Sequence, residues 1–453
     1  MEKEIKPHYQ NLIIGFGKGG KTLAAWLAAR GETVAMVEKS EKMYGGACIN
    51  IACIPTKSLI KNAEKQIPYQ KAFTIKNDLT STLRKINFRA LEQLPFATVI
   101  SGEASFVSEN EVQVKLGAIG DIVKIHADRI FINTGSRPYL PPIDGLRASA
   151  RIFTSTALLE QSALEKDIAI IGGGFIGLEF ADMYAKFGAK VTIFESGDTF
   201  LSKEDCDVAE LIYEILTAKG IHILTGVSVE KVEDINDKKV KLRYKNKAND
   251  CKSLEVTAIL VATGRMPNTA GLNLTAAGIK TGERGFIMVD DELKTSVPNI
   301  WAIGDCNGGP QFTFISLDDF RLIRDQLSGG SYTSVKQRRQ FASSVFTTPQ
   351  LAHIGIREKE AKERGYDYKV AKLPITSIPR AKINGETQGF LKAVVDLKTN
   401  KILGCTLICN DANEMINTVQ VAMNAEQDYQ IIRDAVFTHP SMTEAFNDLY
   451  ALV

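Results

Sequence analysis

Cysteine is scarce in this chain and odd in number: Cys48, Cys53, Cys206, Cys251, Cys306, Cys405 and Cys409 are the only seven in 453 residues. Such usage excludes the disulfide framework of a small secreted scaffold and makes any redox pair among them more plausible as catalytic than as structural. No run of about eighteen apolar residues occurs, so no segment reads as a membrane-spanning helix. The charged stretch from Met1 to Gln10 leads straight into an apolar strand, without the hydrophobic core of a signal peptide. An excess of one charge is missing too: 55 Lys and Arg face 53 Asp and Glu, for a net +2. That balance supplies no field to draw the protein to nucleic acid or to an anionic membrane. The expectation is a soluble cytoplasmic protein with small-molecule or protein partners, no nucleic acid, no membrane and no resident metal. The length suggests about three domains.

What the chain does contain is one unit used twice. Asn11 to Ile14 is an apolar strand, Gly15-Phe16-Gly17-Lys18-Gly19-Gly20 matches G-x-G-x-x-G, Lys21 to Arg30 has helical composition, and Thr33 to Val37 is a strand ending at Glu38. The order returns in the strand Asp167 to Ile171, the turn Gly172-Gly173-Gly174-Phe175-Ile176-Gly177, a helix from Leu178 to Phe187, and the strand Lys190 to Phe194 ending at Glu195. The interval from the middle glycine to the acid, Gly17 to Glu38 and Gly174 to Glu195, is 21 residues in both copies. In such units Gly15 and Gly172 make the tight turn, Gly17 and Gly174 admit a pyrophosphate, and Gly20 and Gly177 let helix and strand approach. Phosphate then sits on free N–H groups at the helix start. Glu38 and Glu195 are placed to bind an adenosine ribose, and the absence of Arg from Ser196-Gly197-Asp198 favours NADH over NADPH at the second copy. Further strand exits at Gly135, Gly264 and Gly304-Asp305 lie where a dinucleotide would pass, although Asp305 also reads as a helix cap.

Cys48 and Cys53 follow the first unit in Gly45-Gly46-Ala47-Cys48-Ile49-Asn50-Ile51-Ala52-Cys53-Ile54-Pro55-Thr56-Lys57. A thiol couple beside a redox cofactor can carry two electrons from that cofactor to an external acceptor. A nearby helix start is expected to depress a thiol pKa. Cys405 and Cys409 fall in an apolar strand, and Cys206, Cys251 and Cys306 carry no motif, so these five read as structural.

With these motifs the chain resembles the flavoprotein disulfide reductases, the group of glutathione reductase, dihydrolipoamide dehydrogenase and mercuric reductase. The resemblance spans the whole length, from the glycines and thiols above to Phe437-Thr438-His439-Pro440-Ser441-Met442-Thr443-Glu444. Ile14-Gly15-Phe16-Gly17-Lys18, Met43-Tyr44-Gly45-Gly46, Ile315-Ser316-Leu317-Asp318-Asp319-Phe320-Arg321 and Ile378-Pro379-Arg380-Ala381 look like the reactive-chlorine-resistance branch. The resemblance implies an α/β chain with two Rossmann-like dinucleotide-binding domains and a C-terminal α+β dimerisation domain. In that arrangement the FAD domain occupies 1–148 and 269–338, the NAD(P)H domain 149–268 and the interface domain 339–453.

The resemblance also implies FAD and NADH as cofactors, with NADPH the alternative, and a catalytic set of Cys48, Cys53, Lys57, Glu179, His439 and Glu444. Cys53 faces the flavin, Cys48 attacks substrate, and Lys57 from the Pro-Thr-Lys motif, whose Thr56 also contacts cofactor, pairs with Glu179. His439, oriented by Glu444, serves the other subunit of a homodimer. Hypothiocyanous acid is the implied oxidant, with copper(II) or mercuric ion, lipoamide or glutathione as alternatives and a thiol redox sensor as the non-enzymatic one. A cysteine-free C-terminus departs from mercuric reductases. Ala52 before the second thiol and Phe312-Thr313-Phe314 depart from the glutathione and lipoamide enzymes.

Overall fold

The first apolar run becomes the strand His8–Ile14 (β1), buried continuously from Asn11 onward. The computed structural model describes residues 3–117 and 120–453; Met1 and Glu2, which begin the charged N-terminal run, lie outside them. β1 is followed by the helix Lys18–Ala29 (α1) and the strand Val34–Glu38 (β2). Three helices come next, Ala47–Asn50 (α2), Cys53–Glu64 (α3) and Tyr69–Glu92 (α4), and then the strands Ala97–Phe106 (β3), Glu111–Leu116 (β4) and Ile122–Ile132 (β5).

β1 lies between β2 and β5, parallel to both, and β2 pairs in parallel with β3. The strand Ile300–Ala302 adds in parallel to β5, while β4 runs antiparallel to β3 and β5. Alternate side chains enter two cores, as the twofold period of a strand requires. Ile13 and Met36 pack with Leu23 and Leu27 of α1, whereas Leu12, Ile14, Ala35 and Val37 pack with Ile125, Leu272 and Leu274. A sheet covered on both faces explains why the runs Leu12 to Ile14 and Val34 to Val37 are wholly apolar.

Both glycine-turn helices start earlier than their composition suggests, at Lys18 instead of Lys21 and at Phe175 instead of Leu178. Glycine is a poor helix former, so composition places the start after it; here a close backbone approach fixes Gly19, Gly20 and Gly177 inside the first turn. α4, 24 residues long, buries Tyr69, Ala72, Lys76, Thr80 and Leu91.

The described residues divide into two units. One comprises the chain up to Pro141 with Thr154–Ala163 and Thr263–Arg338; the other comprises Pro142–Phe153, Leu164–Ala262 and Arg339–Val453. In the second unit, parallel strands lie in the order His222–Thr225, Lys190–Glu195, Asp167–Ile171, Ala258–Val261. The same unit contains an antiparallel sheet ordered Ser343–Val345, Gln350–Gly355, Ile402–Cys409, Phe390–Asp396, Tyr368–Pro374, packed against the helices Ala412–Asn424 and Ala445–Ala451. Cys405 and Cys409 are buried in this sheet, as the sequence suggested, and burial pushes the Cys405 thiol up to about 12.

Inside the second unit a cluster of charges ties the C-terminal sheet to the start of the helix Cys206–Ala218. Lys392 is 2% exposed, and its ammonium meets Asp205 at 3.1 Å, Asp207 at 3.0 Å and Glu358 at 2.6 Å. These partners hold the ammonium protonated in spite of its burial. Beside it Arg357 donates two bonds to Glu204, at 2.6 and 2.8 Å. Lys392→Met leaves these carboxylates with a missing cation and is expected to cost about 3–5 kcal/mol. Urea denaturation is the check, and an unmoved midpoint contradicts this account.

Candidate active site

The glycine turn after β1 is shaped by one buried carboxamide. Asn133, at the end of β5, accepts from the Gly20 N–H at 2.9 Å and donates to the Ile303 carbonyl at 2.8 Å. Its Oδ1 occupies the place of a Gly17 side chain, since a Cβ there would lie 2.3 Å away. Gly15 turns with φ +100°, which only glycine adopts freely, and its Cβ would meet the Asn133 carbonyl at 2.4 Å. Ser316, on the helix Thr313–Ser328, takes the Gly19 N–H at 3.1 Å. At the end of β2 the Glu38 carboxylate accepts from the N–H groups of Phe16 at 3.0 Å and Ser40 at 3.1 Å, while burial pushes its pKa up.

The thiol loop lies directly on this turn. A Cβ on Gly46 would come 2.8 Å from the Gly17 Cα, so glycine backbone meets glycine backbone. From there α2 carries Cys48 and α3 begins at Cys53. Asn50 braces the loop by donating to the carbonyls of Tyr44 and Gly46, each at 2.9 Å, and accepts from Arg84 of α4 at 2.8 Å.

Cys48 is hydrogen-bonded to Cys53, and that bond, with burial and the neighbouring thiol's charge, raises the Cys48 pKa well above the ordinary range. The sequence-based expectation of a depressed thiol pKa is therefore reversed at Cys48. A four-residue helix has little dipole to offset two thiols competing for one proton. The Thr313 hydroxyl stands 3.7 Å from the Cys53 sulfur. Arg265 is close enough for the charges of Asp305 and Cys53 to act on it, although burial is the larger influence and lowers its pKa.

The same unit holds the other first-copy residues. Thr56 is buried and Lys57 half-buried on α3. Ser136, next to Gly135, donates to Asp305 at 2.5 Å and accepts from Arg265 at 2.7 Å. Gly264 accepts from the Tyr139 N–H at 2.9 Å, and Gly304 donates to Asp319 at 2.7 Å. Cys306 is fully buried, and its thiol is pushed up to about 12 by that burial.

The second unit holds the remaining predicted residues. Gly172 turns with φ +107°, Gly174 precedes the helix Phe175–Lys186 without any side-chain cap, and a Cβ on Gly177 would lie 2.1 Å from the Gly172 carbonyl. Glu195 accepts from Gly173 at 2.9 Å and from Gly197 at 2.8 Å. Glu179 is buried and accepts from the Phe346 N–H at 3.0 Å. His439 Nδ1 bonds Glu444 at 2.8 Å, and the other Glu444 oxygen accepts from the Ser441 N–H at 2.9 Å, which with His439 lowers the carboxyl pKa. The imidazole itself is exposed.

Sequence reasoning assigned no role to Asn133, Ser316, Thr313 or Arg265. Asn133 and Ser316 reach the glycine turn from 113 and 297 residues away. Only their position at the strand exit Asn133-Thr134-Gly135 and the start of the helix Thr313–Ser328 pointed to them. It also did not single out His8, His126 and Asp128, whose ligand atoms lie within 4.8 Å of one another among the described residues. All three are exposed, and His8 Nε2 and the Asp128 carboxylate are hydrogen-bonded at 2.8 Å.

Two glycine-turn nucleotide units with a dithiol on the first define a class of redox enzyme, and comparison with known proteins agrees. A family profile of pyridine nucleotide-disulphide oxidoreductases matches residues 9–319, and the dimerisation domain of that family matches 341–450. The chain belongs to this family and is an oxidoreductase of its flavin- and pyridine-nucleotide-using kind. It is 45% identical over 445 residues, 98% of this chain and 99% of the other, to the probable pyridine nucleotide-disulfide oxidoreductase RclA of Escherichia coli.

It is also 33% identical to a mercuric reductase of Bacillus cereus, over 96% of this chain and 70% of that one. A dihydrolipoyl dehydrogenase of Geobacillus stearothermophilus is 32% identical, over 96% and 94%. Among solved structures, the Cu(II) complex of the HOCl-induced flavoprotein disulfide reductase RclA from Escherichia coli superposes with a TM-score of 0.95 at 44% identity, covering 99% of this chain and all of that one.

Because Cys53 is the largest cause of the raised Cys48 pKa, Cys53→Ser is expected to lower it. The pH dependence of Cys48 alkylation by iodoacetamide in reduced protein measures this: the midpoint moves to lower pH in the variant. A midpoint that stays or rises refutes the shared-proton description.

Proposed function

We propose that the protein is an FAD-dependent reductase that takes electrons from NADH and delivers them through the Cys48–Cys53 pair to hypothiocyanous acid or a related chlorine-derived oxidant. The observation that carries this reading is the hydrogen-bonded thiol pair seated on the Gly17 turn. The residues fit the cofactors: both glycine-turn helices begin without a side-chain cap or an acidic residue in the first turn, as a diphosphate requires. Gly15, Gly17, Gly20, Glu38, Thr56, Gly135, Gly304 and Asp305 would hold FAD, and Gly172, Gly174, Gly177, Glu195 and Gly264 the nicotinamide dinucleotide. Bound flavin supplies the two-electron link between nicotinamide and disulfide.

The chain's own groups then divide the work. Cys53, near the Arg265 charge, keeps the first negative charge of the dithiol. Cys48 stays protonated and needs a base, a role suited to the exposed His439 imidazole held by Glu444. In the proposed homodimer, His439 and Glu444 of one subunit serve the thiols of the other. An apolar groove of about 540 Å³ on the dimerisation domain, lined by Val421, Ala425, Ile431, Ile432, Ala435 and Phe437, supports that assembly. Lys57 and Glu179 would complete the catalytic set.

With hypothiocyanous acid, the Cys48 thiolate attacks the electrophilic sulfur and expels hydroxide. Cys53 then attacks Cys48 and releases thiocyanate as the disulfide closes. Copper(II) reduction is a second reading, favoured by the Cu(II) complex of the similar RclA structure and by the softness of a thiolate pair. The Glu195 carboxylate, at the end of the second unit's strand, disfavours a 2′-phosphate, which supports NADH. A cytoplasmic location fits reduced thiols and a supply of NADH.

The test is NADH oxidation by purified protein under anaerobic conditions with hypothiocyanous acid, copper(II), oxidised glutathione or lipoamide. Fast turnover with hypothiocyanous acid, at least about tenfold better with NADH than NADPH and lost in Cys48→Ser and Cys53→Ser, is the expected result. Turnover with lipoamide or glutathione alone reassigns the substrate, and flavin reduction without turnover favours a sensor.

A further inference from the structure

Lys21 is a half-buried ammonium that the mechanism above leaves unused. It projects from the first turns of α1, whose first turn contains no acidic residue, and its Nζ donates to the Asn87 carboxamide of α4. Asn87 is itself anchored by a 2.7 Å bond to the Leu83 carbonyl and lies against Gly45, where an added Cβ would touch its Cγ at 3.4 Å. Gly45 stands three residues before Cys48, so α1, α4 and the thiol loop converge on this lysine.

Among the described residues Lys21 has no carboxylate partner, and burial with the nearby Lys18 brings its pKa down to about 8. The charge that acts in the opposite direction is Cys48, and Lys21 in turn favours the Cys48 thiolate. A cation buried without a counter-ion is costly unless something negative visits it. The proposed FAD diphosphate lies at the start of the same helix, but the negative charge that acts on Lys21 within the protein is that of Cys48, which points to a visitor there.

We infer that Lys21 is the anion contact of the dithiol site: its ammonium, tethered by Asn87, binds the negative part of an oxidant at Cys48 and then the small anion that leaves as the disulfide forms. This rests on the reading of the pair as a reductant of small oxidants and narrows their class to electrophiles that release a pseudohalide or halide. In the hypothiocyanous acid case the bond from the Cys48 sulfur to the thiocyanate sulfur breaks as the Cys53–Cys48 bond forms. Thiocyanate leaves with the electron pair, the thiols having lost two electrons and the oxidant having gained them. Lys21 faces that leaving charge and Asn87 is the positioning residue.

Charge at the site is measurable without any physiological oxidant. In a Cys53→Ser background, the rates at which anionic iodoacetate and neutral iodoacetamide alkylate Cys48 are compared by mass spectrometry for Lys21, Lys21→Met and Lys21→Arg. The iodoacetate to iodoacetamide ratio is expected to fall by about fivefold or more in Lys21→Met and to stay within about twofold in Lys21→Arg. Asn87→Leu, which keeps the charge and removes its tether, is expected to fall between them. An unchanged ratio in Lys21→Met overturns the inference, and so does an equal fall in the Met and Arg variants, which marks a packing role. A lowered ratio in an enzyme that does not turn over hypothiocyanous acid supports the anion contact while discarding that oxidant.

Discussion

The Asn133 carboxamide occupies the space that a Gly17 side chain would need and, through its two ends, binds the start of α1 to the end of the strand Ile300–Ala302. Gly46 rests on the other side of Gly17. The turn is thus pressed between a buried amide and the thiol loop, with no room for a Cβ at any of the contacts. An amide left without these partners in a buried site forfeits about 1–3 kcal/mol for each unsatisfied group. The position of both thiols relative to the dinucleotide turn follows from this sandwich.

That placement sets the electrostatics. The two sulfurs are hydrogen-bonded to each other and the Thr313 hydroxyl reaches both, while Arg265 feels the charge of Cys53 and Lys21 acts on Cys48. The opposite roles proposed for these chemically identical groups rest on unequal neighbours, the general way in which a pair of titratable groups is driven apart. In the proposed mechanism the attacking thiol, Cys48, is held protonated, which would give the partner subunit's His439–Glu444 pair a purpose. Cys306 and Cys405, buried and held protonated, are shielded from such chemistry.

Both glycine turns, their acids and the thiol pair were legible because each is a local pattern with a fixed spacing. Helix starts were less so: Gly19, Gly20 and Gly177 speak against helix in isolation, and only the close approach of the Ser316 backbone, the Asn133 side chain and the turn's own carbonyls keeps them in one. Asn133, Ser316, Thr313 and Arg265 carry no motif and act across long stretches of chain. The direction of the Cys48 shift was missed for a related reason, since a helix dipole is visible in sequence whereas the hydrogen bond between two thiols is not.

The central claim is that the Cys48–Cys53 pair is a second two-electron store in redox contact with the flavin. Anaerobic reductive titration followed by flavin absorbance tests it most directly. Two two-electron equivalents are expected to reduce the protein fully, falling to one in Cys48→Ser or Cys53→Ser. A single equivalent in the unaltered protein, unchanged by either substitution, would contradict the account.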